Sequence, residues 1–574
     1  MMLQGQINQR KDLIHRTIFA LITASVVLFV SYYLFTPYYM TNDDISMRLN
    51  ASGKYFAYNY EPNEYLLFIN YLYGVVLKWL YSHYPTVHWY DLLFTTLNTI
   101  AMIVFMVVSQ GRHHSYQIKL ALFFFSLAFF PILFYQPQFT VTAVFLASSG
   151  LLVLAYLLAY TSGSRKWCYL GLVYFVISVF IASLIRMNSA LLVLVFGMLL
   201  ITPIALRRYA GSADKRILRS AIVSVLLLSA IIYFGERVNK DFYAKSPGHN
   251  VALKINKLRS GMQDNALITL REGERERIDS ALSSAAGDYW SLNDFLMFRN
   301  WMFANEEVFS LANIEKNNKI FFPIVSKKKN LAKSIKEVIA GLYRLHDQYY
   351  KYVVYLLVLA MVFSGGRLFN HSIYLLSAFA LIFLIISFVI KIPPFRVYLG
   401  MYILMGGMVF VLKDYYSEEK GVQINKAARG LFIFFSMVML IFGYVGNHIK
   451  SYNLEHYIQD YDLLDDQHGY VFFAGFPSYT SLVLPFRSEK DLSSIKMVSI
   501  GWASKMPYVQ DALKEYGINN FEYSMCTNDD VLISGSAERM ERLVIFMREH
   551  YQKDVEILEY KKGEIFDLKR CTLK

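Results

Sequence analysis

Long apolar runs dominate this chain and decide what it can fold into. The first, over residues 14–35, is almost uniformly apolar and long enough to cross a bilayer as a helix. Similar runs recur as far as residue 445, so that apolar residues make up 55% of the chain and charged residues only 18%. A soluble fold is therefore excluded, and we predict an α-helical polytopic membrane protein.

The basic residues that flank these runs predict their orientation. Arg10, Lys11 and Arg16 precede or begin the first run, which places the N-terminus in the cytoplasm. Alternating from there gives about eleven transmembrane helices and leaves the C-terminus outside. The stretch 65–81 would break this alternation if it crossed, and polar residues interrupt it, so we predict an interfacial or re-entrant helix. The net charge of +13 belongs largely to topology-setting loops and does not indicate nucleic acid.

Four regions follow from this topology. They are an N-terminal transmembrane module at 1–235 with its first outer loop at 38–88, a helical extracytoplasmic insertion at 236–351, C-terminal transmembrane helices at 352–447, and a small extracytoplasmic α/β domain, the tail, at 448–574. Within the insertion, the patterns predict helices at 271–286 and 292–309. Within the tail, they predict strands at 470–474, 497–500 and 531–534, helices at 508–516 and 537–550, and a hairpin pairing 555–560 with 564–568. Cys526 and Cys571 both fall in the tail, where an oxidising compartment would allow a disulfide.

Two adjacent acids follow the first span directly, in the run Thr41-Asn42-Asp43-Asp44. Carboxylates beside lipid are costly and are kept there for a purpose, which favours an active site. Asn and Asp are also preferred caps at the start of a helix, which favours a purely structural role. The residues around the pair leave both interpretations open.

Three cations run against the rule that short outer loops avoid basic residues. Arg186 lies in the turn between the spans 169–185 and 190–206, while Lys391 and Arg396 precede the span 397–412. Arginine binds phosphate oxygens bidentately and stays charged when partly buried. The alternatives are snorkelling to lipid headgroups or pairing with an acid of the protein.

An acid pair facing cations at the level of the lipid headgroups suits one reaction class. The hydroxyl of an acceptor needs a base, and a leaving phosphate needs cationic stabilisation as charge develops. The donor implied is a sugar on a polyprenyl phosphate, because no Gly-rich loop for a nucleotide phosphate occurs in the sequence.

The stretch from Asn42 to Gly53, then Asn63-Glu64-Tyr65-Leu66, then Pro85 with Trp89-Tyr90, resembles the GT-C superfamily of integral membrane glycosyltransferases. The chain is similar to bacterial enzymes that decorate O-antigen or cell-wall polysaccharide, including the serotype-converting glucosyltransferases. The resemblance covers residues 15–447. It implies inverting transfer from a polyprenyl-phosphate sugar to an extracytoplasmic glycan at a bacterial inner membrane, with lipid bilayer, donor and glycan as partners.

The same resemblance implies roles for single residues. Asp44 or Asp43 would be the catalytic base, and we prefer Asp44 because an adjacent carboxylate should raise its pKa. Arg396 and Arg186 would hold the lipid phosphate. The remaining residues predicted to bind substrate are Arg48, Glu61, Glu64 and Lys391. Some GT-C enzymes use a divalent metal, but this chain lacks a second acidic motif, so we predict no metal and no cofactor.

Three other functions compete with this hypothesis. A polysaccharide polymerase or ligase also takes lipid-linked donors, but depends on outside arginines more than on an early acid pair. A transporter or flippase for lipid-linked sugar predicts ionisable residues within the spans and repeated halves. The tail could also serve as a receptor or scaffold.

Overall fold

The computed structural model describes most of the chain. The described residues are 2–111, 116–160, 165–210, 215–264, 276, 278–282, 290–325, 374, 377, 395–416, 426–465, 469–474, 483–486, 494–563 and 567–574. The predicted spans 352–363 and nearly all of 374–390 therefore lie outside the described residues, as do Lys391 and most of the predicted helix 271–286.

Helices make up most of the described structure. In chain order they are α1 (Met2–Tyr33), α2 (Asn42–Ser52), α3 (Tyr71–His83), α4 (Trp89–Ser109), α5 (Tyr116–Phe129), α6 (Ile132–Tyr135), α7 (Phe139–Tyr160), α8 (Arg165–Ala210), α9 (Arg216–Lys245), α10 (Pro247–Arg259), α11 (Leu292–Arg299), α12 (Leu311–Val325), α13 (Phe395–Tyr416), α14 (Lys426–Asp465), α15 (Pro507–Glu515), α16 (Phe521–Thr527) and α17 (Ala537–Tyr551). The strands are β1 (Lys54–Tyr55), β2 (Tyr58–Asn59), β3 (Val471–Ala474), β4 (Lys496–Ser499), β5 (Val531–Ile533), β6 (Val555–Lys561) and β7 (Leu568–Leu573).

The apolar helices form a membrane bundle. Within the described residues, seven helices are long and apolar enough to cross a bilayer, and Arg396–Leu412 is a shorter apolar helix. Helices suit this environment because they satisfy their backbone hydrogen bonds internally. Large apolar side chains such as Phe29, Leu226 and Phe442 are exposed, as expected where the solvent is lipid. The prediction of a polytopic helical membrane protein is confirmed, while the number of eleven spans stays a prediction.

Helix α7 lies at the centre of the bundle. It is buried along nearly its whole length and packs against α4, α8 and α13. Small residues on these helices allow the close approach: Gly400 lies against Val144, and Gly407 against Leu152. The N-terminus of α7 is consequently a fixed point to which other parts of the fold can be attached.

Helix α8 reverses direction at Arg186. The backbone is non-helical there, with φ −154° and ψ 88°. Gly150 of α7 lies against Ser178 in the first half of α8, and the adjacent Leu151 lies against Gly197 in the second half. Because both halves lie beside the same level of α7, they run antiparallel. Arg186 thus occupies the turn between two spans at which the sequence places it.

The helix α3 is too short to be a transmembrane span. Its 13 residues cover about 20 Å at 1.5 Å per residue, less than the apolar thickness of a bilayer. One side is buried through Tyr73, Leu77 and Tyr81, while Val76 and Trp79 are exposed. This amphipathic arrangement agrees with the interfacial helix expected over 65–81.

The tail is an α/β domain built on a five-stranded sheet. The strand order is β4-β3-β5-β7-β6, with β3 parallel to both β4 and β5, and with β7 antiparallel to β5 and β6. The predicted first three strands and two helices are confirmed to within one residue at each end. Cys526 of α16 forms a disulfide with Cys571 of β7, across Cα atoms 4.4 Å apart.

Two predicted elements are wrong in their bounds. The predicted helix 292–309 ends after eight residues at Arg299, because Trp301 adopts a φ of +66° and Asn305 then accepts hydrogen bonds from the backbone of Glu307 and Val308. Periodicity did not show this turn, since the apolar spacing continues through it. The second strand of the hairpin, predicted at 564–568, is Leu568–Leu573 in the described residues, and residues 564–566 lie outside them.

The tail is docked on the loop that follows α1. The backbone N–H of Ala57, between β1 and β2, donates to the carbonyl of Ile495 at 3.0 Å. The hydroxyl of Tyr55 accepts from the N–H of Ser499 at 2.8 Å, and the rings of Tyr55 and Tyr508 lie 5.1 Å apart. We call the end of the bundle that carries this loop and the tail the tail-side end.

Gly74 of α3 provides a test of this packing. A Cβ added there would lie 2.0 Å from the carbonyl oxygen of Glu64, which is backbone and cannot move aside cheaply. We expect Gly74→Ala to lower the free energy of unfolding by about 3 kcal/mol, the upper end of the usual cost of overpacking. Thermal unfolding of the detergent-solubilised protein measures this change.

Gly430 of α14 is the matched control, since no described atom lies within 4 Å of a Cβ built there. Gly430→Ala should leave the melting temperature unchanged or raise it, because alanine is favoured over glycine in helices by about 1 kcal/mol. Equal melting temperatures for both variants would contradict the close packing of α3 on the loop.

Candidate active site

The acid pair lies in the first turn of α2. Thr41, in an extended conformation, is the N-cap, and the helix begins with Asn42, Asp43 and Asp44. Threonine is a common N-cap, and carboxylates in a first turn are stabilised by the helix dipole. The two carboxylates nevertheless differ sharply, since Asp44 is fully buried and Asp43 is partly exposed.

The Asp44 carboxylate joins α2 to two membrane helices. Its Oδ1 accepts from the Tyr90 hydroxyl of α4 and from the backbone N–H of Phe139, the first residue of α7, both at 2.9 Å. Its Oδ2 accepts from the Thr41 hydroxyl at 2.9 Å. Burial raises the pKa of Asp44 to about 7, although these hydrogen bonds oppose the shift. Asp44 therefore acts as a cap for α7 and is closed to a substrate in this conformation.

The Asp43 carboxylate contacts the tail. Its Oδ1 accepts from the indole Nε1 of Trp502 at 3.0 Å, and Trp502 opens a short 3₁₀ turn, Trp502–Lys505. The Trp502 ring packs edge-to-face on Phe68, with centroids 4.9 Å apart. Of the two acids, Asp43 is thus the one that a substrate can reach.

Arg186 lies beside this acid pair. Its guanidinium packs over the rings of Phe68 and Phe139, 5.3 Å from each centroid. Phe139 is also the residue whose N–H binds Asp44, and Phe68 is the residue against which Trp502 packs. Residues from α2, α7, α8 and the tail therefore meet at one place, as the sequence predicted for the two acids and Arg186.

Arg396 lines a cavity that reaches the same place. The cavity has a volume of about 420 Å³ and a wall of both apolar and polar groups, formed by α5, α6, α13, α14 and the segment after α1. Thr41, which donates to Asp44, belongs to this wall together with Arg396. Among the described residues, Arg396 has no hydrogen bond or ion pair with a side chain of the protein. Arg396 and the threonine that binds Asp44 consequently border one cavity.

Arg48, predicted to bind substrate, is instead buried inside the protein. Its guanidinium donates to the Tyr39 hydroxyl at 3.1 Å and to the Leu484 carbonyl at 2.9 Å, and lies 2.7 Å from Nδ1 of His88. Burial and the nearby guanidinium lower the pKa of His88, so the imidazole is neutral and its Nδ1 accepts.

Asp91, in the first turn of α4, compensates the charge of Arg48. The two groups are 3.8 Å apart, and the Tyr39 hydroxyl hydrogen-bonds to the same carboxylate. The N–H of Phe486 donates to its other oxygen at 3.3 Å, so residues 484 and 486 tie the tail to this network. Arg48 therefore binds groups within the protein, and its role in substrate binding stays a prediction.

The other predicted substrate-binding acids are not brought to the pair. Glu64 forms an ion pair with Lys78 of α3 at 2.7 Å. Glu61 is exposed and lies beside Gly53, at the other end of α2 and about 14 Å from the acids along the helix axis.

One cluster in the described residues has the composition of a metal site. Asp294, Glu549 and His550 lie between α11 and α17, but His550 Nε2 is 2.8 Å from Asp294, and Ser291 bridges Asp294 and Glu549. These groups satisfy one another and are not part of the acid pair. Within the described chain, neither Asp43 nor Asp44 belongs to such a cluster.

Sequence reasoning missed several residues of this site. Asp91 carried a usable signal, since it is a charged residue inside the predicted span 89–108 and such residues are seldom incidental. Trp502 and Phe139 carried none, because their proximity to the acid pair depends on contacts between segments far apart in the chain.

Comparisons with known proteins give one structural likeness. No protein-family model and no curated protein matches the chain. The crystal structure of ArnT from Cupriavidus metallidurans bound to undecaprenyl phosphate is similar, with a TM-score of 0.42 and 11% identity over 96% of this chain and 97% of that one. The crystal structure of ArnT in the apo state is similar as well, with a TM-score of 0.42 and 12% identity over 99% of this chain and 98% of that one. At these TM-scores the likeness concerns general outline and assigns no role to any residue.

The buried carboxyl of Asp44 predicts a pH-dependent stability. Its pKa is raised from 3.8 to about 7, so the folded protein holds a proton that the unfolded chain loses in this window. As pH rises from about 4 to about 7, wild type should lose stability relative to Asp44→Asn, by roughly 4 kcal/mol at most. Above this window the difference should stay constant. Thermal unfolding in detergent at several pH values measures it.

Asp529 supplies a control. It belongs to a second Asn-Asp-Asp run, Asn528-Asp529-Asp530, and is exposed in a turn. Asp529→Asn should follow wild type at every pH. A difference between wild type and Asp44→Asn that did not change with pH would show that Asp44 is not held protonated by burial.

Proposed function

We propose that this protein is a GT-C type membrane glycosyltransferase that moves a sugar from a polyprenyl phosphate to an extracytoplasmic glycan. The observation that carries the proposal is the cavity that Arg396 and Thr41 share at the tail-side end of the bundle. The apolar side chains in its wall, among them Leu127 and Phe442, suit a prenyl chain, its arginine suits a phosphate, and Thr41 connects it to the acid pair.

The transfer has a simple balance of bonds and charge. The acceptor hydroxyl gives its proton to a carboxylate while its oxygen attacks the anomeric carbon of the donor sugar. The bond from that carbon to the phosphate oxygen breaks, with inversion, and polyprenyl phosphate leaves. The guanidinium of Arg396 stabilises the negative charge that develops on the phosphate.

Asp43 is the better candidate for the base. A general base must come within hydrogen-bonding reach of the proton it accepts, and Asp44 is enclosed by Thr41, Tyr90 and Phe139. Asp43 is partly exposed and takes one hydrogen bond from Trp502. Asp44 then has a positioning role, because it anchors the helix turn that carries Asp43. This reverses our preference from sequence.

The orientation belongs to the same proposal. The disulfide between Cys526 and Cys571 suits an oxidising compartment, which supports an extracytoplasmic tail. With the basic N-terminus in the cytoplasm, the acid pair and Arg396 then face outward, where lipid-linked sugars take the place of nucleotide sugars. The setting proposed is a bacterial inner membrane, with O-antigen or a cell-wall polysaccharide as the acceptor.

Replacing Asp43 tests the base. We expect deletion of the gene to remove one sugar from the cell-surface polysaccharide, and the wild-type gene to restore it. Asp43→Asn keeps the size of the side chain but removes its basicity, so transfer should fall at least a hundredfold, the usual contribution of a general base. Mass spectrometry of the polysaccharide measures the transferred sugar. Western blots of the membrane fraction measure how much of each variant reaches the membrane.

Asp529→Asn is the matched control and should restore the sugar fully. If Asp43→Asn restores it as well and Asp44→Asn does not, Asp44 is the base. If both aspartate variants restore it, the pair is structural, and a polymerase, ligase or transporter is favoured.

Replacing Arg396 tests the phosphate site. Arg396→Ala should lower the turnover of lipid-linked donor about a hundredfold or more, because the leaving phosphate loses its counter-charge. Arg396→Lys should recover part of the loss, since a lysine keeps the charge but not the bidentate geometry. Radiolabelled sugar transfer in membrane vesicles measures these rates.

Arg237→Ala is the control for charge, since Arg237 is an exposed residue of α9 paired with Asp241 at 3.3 Å. It should transfer sugar at the wild-type rate. Equal losses in the Arg237 and Arg396 variants would point to a general effect of surface charge and contradict a phosphate site.

A further inference from the structure

The tail holds one aromatic side chain rigidly against the acid pair. Trp502 begins a 3₁₀ turn, Trp502–Lys505, that is anchored at both ends. At the first end, Gly501 has a φ of +93° and lies against Trp301, where a Cβ would come within 3.3 Å of the ring. At the other end, the buried Lys505 ammonium donates to the carbonyls of Ala304 and Asn305 at 3.2 and 3.1 Å.

Lys505 also forms an ion pair with Glu306 at 2.9 Å, so its charge is compensated in the interface between the insertion and the tail. A buried lysine with these partners is costly to displace, because removing either partner leaves an uncompensated charge. The indole of Trp502 is therefore presented in one position and does not belong to a mobile loop.

The groups around this indole are those that bind sugars. Its N–H donates to Asp43, its ring packs edge-to-face with that of Phe68, and the guanidinium of Arg186 packs over the same Phe68 ring. An indole face packs well on the C–H face of a pyranose ring, because it is large, flat and needs little ordering. The adjacent carboxylate can accept from sugar hydroxyls, and Trp502 is only partly buried.

The Arg396 cavity and Trp502 belong to different parts of the chain. In the described structure, the cavity wall contains residues from 35 to 447 and none from the tail. Trp502 belongs to the tail and approaches the acid pair through Asp43, while the cavity approaches it through Thr41. The acid pair thus lies between the cavity that contains Arg396 and the part of the tail that contains Trp502.

We propose that the tail supplies the acceptor side of the active site, with Trp502 stacking on the acceptor sugar and orienting Asp43. This inference rests on the proposed glycosyltransferase function. By holding Oδ1 of Asp43, the indole N–H leaves Oδ2 directed to the acceptor hydroxyl. Trp502 is therefore a positioning residue for Asp43 and a specificity residue for the glycan, whereas the donor does not contact it.

The test separates the two substrates. Full-length protein in liposomes is given lipid-linked sugar extracted from membranes and delipidated polysaccharide from the deletion strain, and each is titrated at saturating levels of the other. Trp502→Ala should raise the KM for polysaccharide at least tenfold and leave the KM for donor within twofold. Trp502→Phe keeps an aromatic ring but lacks the N–H, so it should change this KM less than threefold and lower kcat about tenfold.

Trp167→Ala is the matched control, since Trp167 is an exposed tryptophan in the first turn of α8 and contributes nothing to the turn that carries Trp502. It should leave both KM values unchanged. Formation of the Cys526–Cys571 disulfide, measured by thiol alkylation on non-reducing gels, reports that the tail of each variant is folded.

The outcomes are distinct. A change confined to the acceptor KM and kcat supports the inference. Wild-type kinetics in both Trp502 variants, or a change in the donor KM alone, or equal changes in both KM values, would overturn it while leaving the glycosyltransferase function in place. If the wild-type protein itself transfers no sugar under these conditions, the proposed function fails, and the inference fails with it.

Discussion

The buried carboxylate of Asp44 is the interaction on which the geometry of this site depends. It accepts hydrogen bonds from the N-terminal turn of its own helix, from α4 and from the start of α7, the central helix of the bundle. A carboxylate at the N-terminus of a helix also meets the positive end of the helix dipole. One side chain therefore fixes the loop after α1 to α7, the helix that is buried along nearly its whole length, and Asp43 is placed as a consequence.

A second buried charge attaches the tail to the same loop. Arg48 and Asp91 compensate each other, and backbone groups of residues 484 and 486 complete their hydrogen bonds. Such pairs contribute little net stability but are costly to break, so they specify one arrangement. With Tyr55 and Tyr508 in contact nearby, the tail packs directly on the loop that carries the acid pair. Asp44 is the aspartate with the structural role of a cap, and the catalytic role that the sequence also allowed is proposed for Asp43.

Local sequence was a good guide wherever local physics decides structure. The span-length apolar runs required membrane helices, and the short apolar runs in the tail predicted its first three strands and two of its helices to within one residue at each end. The helix predicted at 292–309 was wrong because a single backbone conformation, at Trp301, ended it where apolar spacing did not. Glu61 and Glu64 follow the acid pair in sequence but pack towards the far end of α2 and towards α3.

The sequence by itself determined that this is a helical membrane protein with an acid pair after its first span and arginines at the same end of later spans. These conclusions need only hydrophobicity, chain length and charge. Tertiary structure alone decided which aspartate is enclosed, that Arg48 is buried and that Trp502 reaches Asp43. Burial and partner choice arise from segments that lie between about 40 and 459 residues apart, and no pattern within either segment records where the other will lie.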